Sequence, residues 1–162
     1  NIPMESLQPD FIFIEIMQKM GFSLSLKNND LMVCKMTQEV KPIQIDIAQA
    51  PDLLPVLSVL CALSKEESII TGISRNLYKE SNRVEEVEKL LRFLNVKVVV
   101  SKDQIAIKGR PHIINPLEYD APKDHRMVMA AAVFLANNFL TGISSQECVD
   151  KSYPLFWQDT GL

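Results

Sequence analysis

Asp52-Leu-Leu-Pro-Val-Leu-Ser-Val-Leu-Cys-Ala-Leu63 is apolar almost without interruption. A helix built on this stretch has no polar face, and a helix apolar all round is buried on every side. Asp52 offers an N-cap, and Pro55 falls in the first turn, where its missing N–H is tolerated. A second stretch of the same character, Met127 to Ala136, follows Asp124, another cap residue 72 positions on. Two wholly apolar helices call for a fold with helices at the centre and half-exposed sheets outside. The fold class expected is therefore α/β.

The flanking segments agree. Ile43 to Ile47 alternates with period 2, and Ser68 to Ile73 and Phe139 to Ser144 also read as strands. Residues 113–119 read as extended. Between the two apolar stretches, Val84, Val87, Leu90, Leu91 and Leu94 form one helical stripe. Asn82 caps it with Glu85 three residues on, and Asn95 can close it in the left-handed region. Val96–Val100 and Gln104–Lys108 form a hairpin across Ser101-Lys102-Asp103. Upstream, residues 9–20 suit a helix closed by Gly21, although Phe13 and the isoleucines leave a strand open. Phe22–Leu26 and Leu31–Cys34 read as a hairpin turning at Lys27–Asp30. Downstream, a last helix is expected from Ser152 to Asp159, with Pro154 in its first turn and Tyr153, Phe156 and Trp157 as anchors.

This order repeats. Thr71-Gly72-Ile73 recurs as Thr141-Gly142-Ile143, and Lys79 and Lys151 each follow the strand concerned. The unit is strand, buried helix, strand, amphipathic helix, hairpin, and a period this long belongs to a domain rather than a solenoid. Residues 1–162 read as a single domain of about two units: 1–45 partial, 46–112, and 113–162 partial.

Composition narrows the function. With 17 Lys and Arg against 20 Asp and Glu, the net charge is −3. No general basic field exists, which argues against nucleic acid as a partner. Three scattered cysteines suit reduced thiols in the cytoplasm. No signal-peptide pattern and no apolar run long enough to span a membrane is visible. No zinc spacing, Gly-rich phosphate loop or Ser–His–Asp arrangement is present, so neither metal nor cofactor is expected. The start at Asn1 suggests a piece of a longer protein.

Bases are instead concentrated at three expected helix starts: Lys79-Glu80-Ser81-Asn82-Arg83, Asp124-His125-Arg126 and Lys151-Ser152. A cation at a helix N-terminus is unfavourable by about 0.3–1 kcal/mol. Three such starts make sense if an anion sits among them, held by backbone N–H groups and cationic side chains. The plainer alternatives are a solvated helix start for Lys79, Glu80 and Arg83, simple caps for Asp52 and Asp124, and a structural His125.

At these motifs the chain resembles the 5-enolpyruvylshikimate-3-phosphate synthase (3-phosphoshikimate 1-carboxyvinyltransferase) family. The matching pieces are Asp52-Leu-Leu-Pro55, Lys79-Glu-Ser-Asn-Arg83, Asp124-His-Arg-Met127 with Met129-Ala130, and Cys148-Val-Asp-Lys-Ser-Tyr-Pro154, in the family's order and spacing. The resemblance implies an inside-out α/β barrel, with this chain as most of the C-terminal domain and the opposing N-terminal domain missing. It implies transfer of the enolpyruvyl group of phosphoenolpyruvate to the 5-hydroxyl of shikimate 3-phosphate, with release of phosphate, by a cytoplasmic monomer of aromatic amino-acid biosynthesis. Arg83, Arg126 and Lys151 match the cations that hold phosphoenolpyruvate. Asp52 and Lys79 match groups at the shikimate hydroxyl, and Glu80 matches a proton donor to the methylene carbon. His125 and Asp124 lie beside them. Asn82 departs from the aspartate usual there. Two alternatives stay open: a UDP-N-acetylglucosamine enolpyruvyl transferase-like enzyme, and a degenerate domain that only binds anions. The isolated chain is expected to be inactive.

Overall fold

A computed structural model describes residues 8–27, 30–34, 39–112 and 116–162. Helix α1 (Ile12–Lys19) follows a 3-10 turn at Pro9–Phe11, and Gly21 closes it with φ of 97°. The helical reading of residues 9–20 therefore prevails over the strand. Ile16 and Met20 are the fully buried residues of this segment, one turn apart. Strands β1 (Ser23–Lys27) and β2 (Asp30–Cys34) pair antiparallel, with Lys27 opposite Asp30. Of the turn expected at Lys27–Asp30, the two end residues belong to the strands and 28–29 lie outside the described residues, as do 113–115 of the extended segment.

Then come β3 (Gln44–Asp46), α2 (Leu54–Ala62), β4 (Ser68–Thr71), α3 (Arg83–Phe93), β5 (Lys97–Ser101) and β6 (Gln104–Lys108). They form a four-stranded sheet in the order β3-β4-β6-β5. Strands β3 and β4 run parallel because α2 carries the chain across between them, whereas β5 and β6 are a tight antiparallel hairpin. Alternation sorts the faces. Val98, Ile105 and Ile107 point inward with Ile70. Lys97, Gln104 and Lys108 point out.

Strand β7 (Leu117–Tyr119), helix α4 (His125–Ala136) and β8 (Leu140–Ile143) repeat the first half of that order, again with a parallel pair. The helices α2, α3 and α4 pack on one another at the centre. Every residue of α2 except Val56 is buried. Burying one such aliphatic side chain contributes about 1.5–3 kcal/mol, so these helices supply much of the core. Among the described residues no helix is long and apolar enough to cross a membrane.

Two expectations fail. Asp52 is not an N-cap. Pro51 starts a 3-10 turn, Pro51–Leu53, that places Asp52 inside the first turn, and its side chain takes no hydrogen bond from the helix. Nor does Lys151-Ser152 open the last helix. A left-handed Ser145 (φ 57°) leads into a 3-10 helix, Gln146–Lys151, which Lys151 closes. Ser152 and Tyr153 still donate their N–H groups to Val149 O, and only beyond Pro154 does α5 (Phe156–Thr160) form. Proline disfavours helical backbone in the residue before it, which delays the start. The aromatic anchors do meet. Phe156 packs edge-on against Tyr153 and Trp157 at 5.8 and 4.9 Å.

The recurring tripeptide also behaves differently in its two places. Gly72 lies just past β4 with φ of 75°, and a Cβ there would come within 2.3 Å of Asp46 Oδ1 and 2.5 Å of Ala48 N. Gly142 lies within β8, where the nearest neighbours of a Cβ would be atoms of the flexible Glu118 side chain, from 3.3 Å.

Candidate active site

Arg83 is the first residue of α3 and is 1% exposed. A buried guanidinium must be paired. Its Nε donates to Asp124 Oδ2 at 2.8 Å, and Nη2 donates to Asp124 Oδ1 at 3.2 Å. Its outer edge donates to Asp52 Oδ1 through Nη1 at 2.8 Å and to Glu80 Oε2 through Nη2 at 2.7 Å. These contacts occupy four of the five guanidinium donors. Burial lowers the Arg83 pKa, but the Asp124 hydrogen bond and the charges of Asp124, Glu80 and Asp52 outweigh it and raise it overall.

Asp124 does three things. It is fully buried, it holds Arg83 by both oxygens, and it caps α4 by accepting from Arg126 N at 3.0 Å. Ser81 Oγ adds a bond to Oδ2 at 3.0 Å. Burial pushes the Asp124 carboxyl up, but the bond and charge from Arg83, with Ser81 and the Arg126 amide, hold it below its ordinary value.

Asp52 faces the other way. Its Oδ1 accepts from Lys79 Nζ at 2.9 Å as well as from Arg83, and Oδ2 meets Arg126 Nη2 at 3.1 Å. The Asp52 side chain is 29% exposed and that of Arg126 35%, so this half of the cluster reaches solvent. Burial raises the Asp52 pKa, while the Lys79 hydrogen bond and the Arg126, Lys79 and Arg83 charges more than reverse it.

The starts of α2, α3 and α4 thus bring Asp52, Lys79, Glu80, Arg83, Asp124 and Arg126 together, as the sequence motifs suggested. His125 is the half-buried first residue of α4 and stands outside this set. Lys151 is exposed at the end of its 3-10 helix and forms none of the cluster's ion pairs. Nothing in the sequence assigns a role to Ser81, and Asp124 reads there first as a cap. Only the equivalent places of Asp52 and Asp124 in the repeat hinted that two carboxylates could meet one arginine. Beside Asp52 and Arg126 opens a cavity of about 600 Å³, whose remaining wall is mostly apolar and includes Val56, Met129, Val133 and Phe156. Among the described residues no cluster of His, Cys, Asp and Glu could hold a metal ion.

Comparison with known proteins decides the family. The profile of EPSP synthase (3-phosphoshikimate 1-carboxyvinyltransferase) matches residues 1–160. The chain belongs to the EPSP synthase family. Its curated relatives include the 3-phosphoshikimate 1-carboxyvinyltransferases of Dehalococcoides mccartyi, 35% identical over 158 residues, and Saccharolobus solfataricus, 37% identical over 152. These alignments cover 98% and 93% of this chain but only 37% and 36% of the relatives, so the chain spans little more than a third of their length. The EPSP synthase of Acinetobacter baumannii superposes over 91% of the chain and 37% of its own, with a TM-score of 0.74 at 23% identity. The enolpyruvyl transferase NikO of Streptomyces tendae superposes over 94% and 34%, with a TM-score of 0.67 at 18% identity. At these identities the superpositions establish the fold, the inside-out α/β arrangement of EPSP synthases, with helices inside and sheets outside.

Proposed function

We propose that this chain is most of the C-terminal domain of an enzyme that moves the enolpyruvyl group of phosphoenolpyruvate onto the 5-hydroxyl of shikimate 3-phosphate. The observation that carries the reading is the gathering of Lys79, Arg83 and Arg126 around Asp52 at three helix starts. Both substrates are polyanions, and guanidinium forks suit carboxylate and phosphate. Arg126 and Lys79 line the exposed half of the cluster and contact the anion, with Lys151 approaching from its own turn. Arg83 presents its outer edge from a fixed base.

The reaction adds the hydroxyl oxygen to C2 of phosphoenolpyruvate while C3 takes a proton. Loss of a proton from C3 and of phosphate from C2 then restores the double bond. Glu80, exposed and next to Lys79, suits the delivery of the proton to carbon. Asp52, on the exposed half of the cluster, suits orientation of the hydroxyl, and it can accept the hydroxyl proton as Lys79 and Arg126 turn from it to the substrate. None of these steps requires a covalent enzyme intermediate, a metal or an organic cofactor. The N-terminal domain of the complete protein supplies the opposite wall of the cleft. The chain alone therefore turns over little or nothing. The complete enzyme works in the cytoplasm as a monomer, without nucleic-acid or membrane partners.

The test is phosphate release by the complete protein from phosphoenolpyruvate and shikimate 3-phosphate, repeated with Arg126→Ala. The reading expects the Michaelis constant for phosphoenolpyruvate to rise at least tenfold, as loss of a charge-assisted contact of about 1.5–3 kcal/mol requires. An unchanged constant, or release that needs a different acceptor, would sink it.

A further inference from the structure

We infer that Asp52 is a resident counter-anion that sets which anions the site admits. The inference rests on the functional reading above but concerns the protein before substrate arrives. Asp52 opens an apolar helix yet does nothing for it, since it accepts no hydrogen bond from α2. Its two oxygens serve three cations that come from outside α2. Oδ1 takes Lys79 Nζ at 2.9 Å and Arg83 Nη1 at 2.8 Å, and Oδ2 takes Arg126 Nη2 at 3.1 Å. One carboxylate does with these bases what a bound phosphate or carboxylate would do.

Lys79, Arg83 and Arg126 are matched by Asp52, Glu80 and Asp124, so the cluster carries no net charge. A small monoanion entering it gains no net attraction. It must also displace a carboxylate that is already tethered and has no translational freedom left to lose. A ligand carrying two anionic groups differs, because it can hold Arg126 and Lys79 at once while Asp52 swings free. The geometry permits that exchange on one side only. Asp52, Lys79 and Arg126 are all partly exposed, whereas the Arg83–Asp124 pair is buried and keeps its place. Asp52 thus rejects monoanions, chloride among them, and favours ligands of at least two negative groups.

The experiment uses the 162-residue chain, inorganic phosphate and the Arg126 and Arg83 side-chain NMR signals. Asp52→Asn keeps an oxygen acceptor and removes the charge. Phosphate should bind this variant about three- to tenfold more tightly than the unaltered chain, the range a partly exposed ion pair can account for. Chloride should compete with phosphate in the variant and not in the parent. Equal or weaker phosphate binding by a folded Asp52→Asn would overturn the inference. Should that variant not fold, the parent decides: added phosphate must move the Asp52 carboxyl resonance, and an unmoved carboxyl alongside a shifted Arg126 overturns the inference. Phosphate that moves no signal in either protein would remove the anion-binding reading itself, and the inference with it.

Discussion

At the start of α4, Asp124 is fully buried, accepts the Arg126 amide of its own helix and grips Arg83 with both oxygens. At the equivalent point of the preceding repeat, Asp52 accepts nothing from α2 and reaches out to three cations at the rim of a cavity. The local cause of the difference is one residue upstream. Pro51 opens a 3-10 turn before α2 with Asp52 inside it, beyond the capping position, whereas Asp124 is extended at the cap of α4 with φ of −124° and ψ of 113°. A carboxylate used as a cap becomes structure, and one moved past the cap becomes available for chemistry.

Replacing each aspartate by alanine should separate the two roles most sharply. Asp124→Ala leaves a buried guanidinium half unpaired and uncaps α4, and should lower the unfolding free energy by about 3–5 kcal/mol. Asp52→Ala should cost less, about 1–2 kcal/mol, because Lys79 and Arg126 reach water and buried Arg83 keeps its bonds to Asp124 and Glu80. Urea unfolding of both variants checks this, and equal losses would break the comparison. The glycines of the repeated tripeptide give the next largest contrast. Gly72→Ala forces a Cβ into Asp46 and Ala48 at positive φ and should cost about 1–3 kcal/mol, while Gly142→Ala should stay within about 1 kcal/mol.

Acid should act through both aspartates in the same direction. Each titrates lower in the folded chain than its unfolded value near pH 3.9, so its stabilisation is complete above about pH 4 and is lost as pH falls through the depressed values. Asp124→Asn and Asp52→Asn should each flatten that acid limb, as unfolding curves between about pH 5 and 2 would record. The smallest effect belongs to Asn82→Asp. Asn82 Oδ1 accepts from Glu85 N, a bond aspartate keeps, and the donors of Arg83 go to Asp52, Glu80 and Asp124. A change within about 0.5 kcal/mol is expected by the same unfolding assay.

Much of this was legible in the sequence for identifiable reasons. The apolar runs at 54–62 and 127–136 have no solvent face, so a helical centre followed from them. Period-2 alternation located the strands, and Asn82, Asn95 and Asp124 were read correctly as helix ends because capping is local chemistry. Asp52 and Lys151 were misread at helix starts because a 3-10 turn before α2 and another after β8 shift the helix boundaries, and tertiary packing selects such turns. The bases were visible as a group, but not that Arg83 is consumed by carboxylates from three separate segments. Long-range pairing leaves no periodic trace in a single sequence. The bond from Ser81 to Asp124 was hidden for the same reason.

The most direct test of the division between the two aspartates is a titration of the chain with phosphoenolpyruvate, followed on the Nε–H signals of Arg126 and Arg83. The account predicts large shifts at Arg126, whose partner Asp52 gives way, and small ones at Arg83 Nε, which stays locked on Asp124. Shifts of equal size at both arginines, or a shift at Arg83 alone, would contradict it.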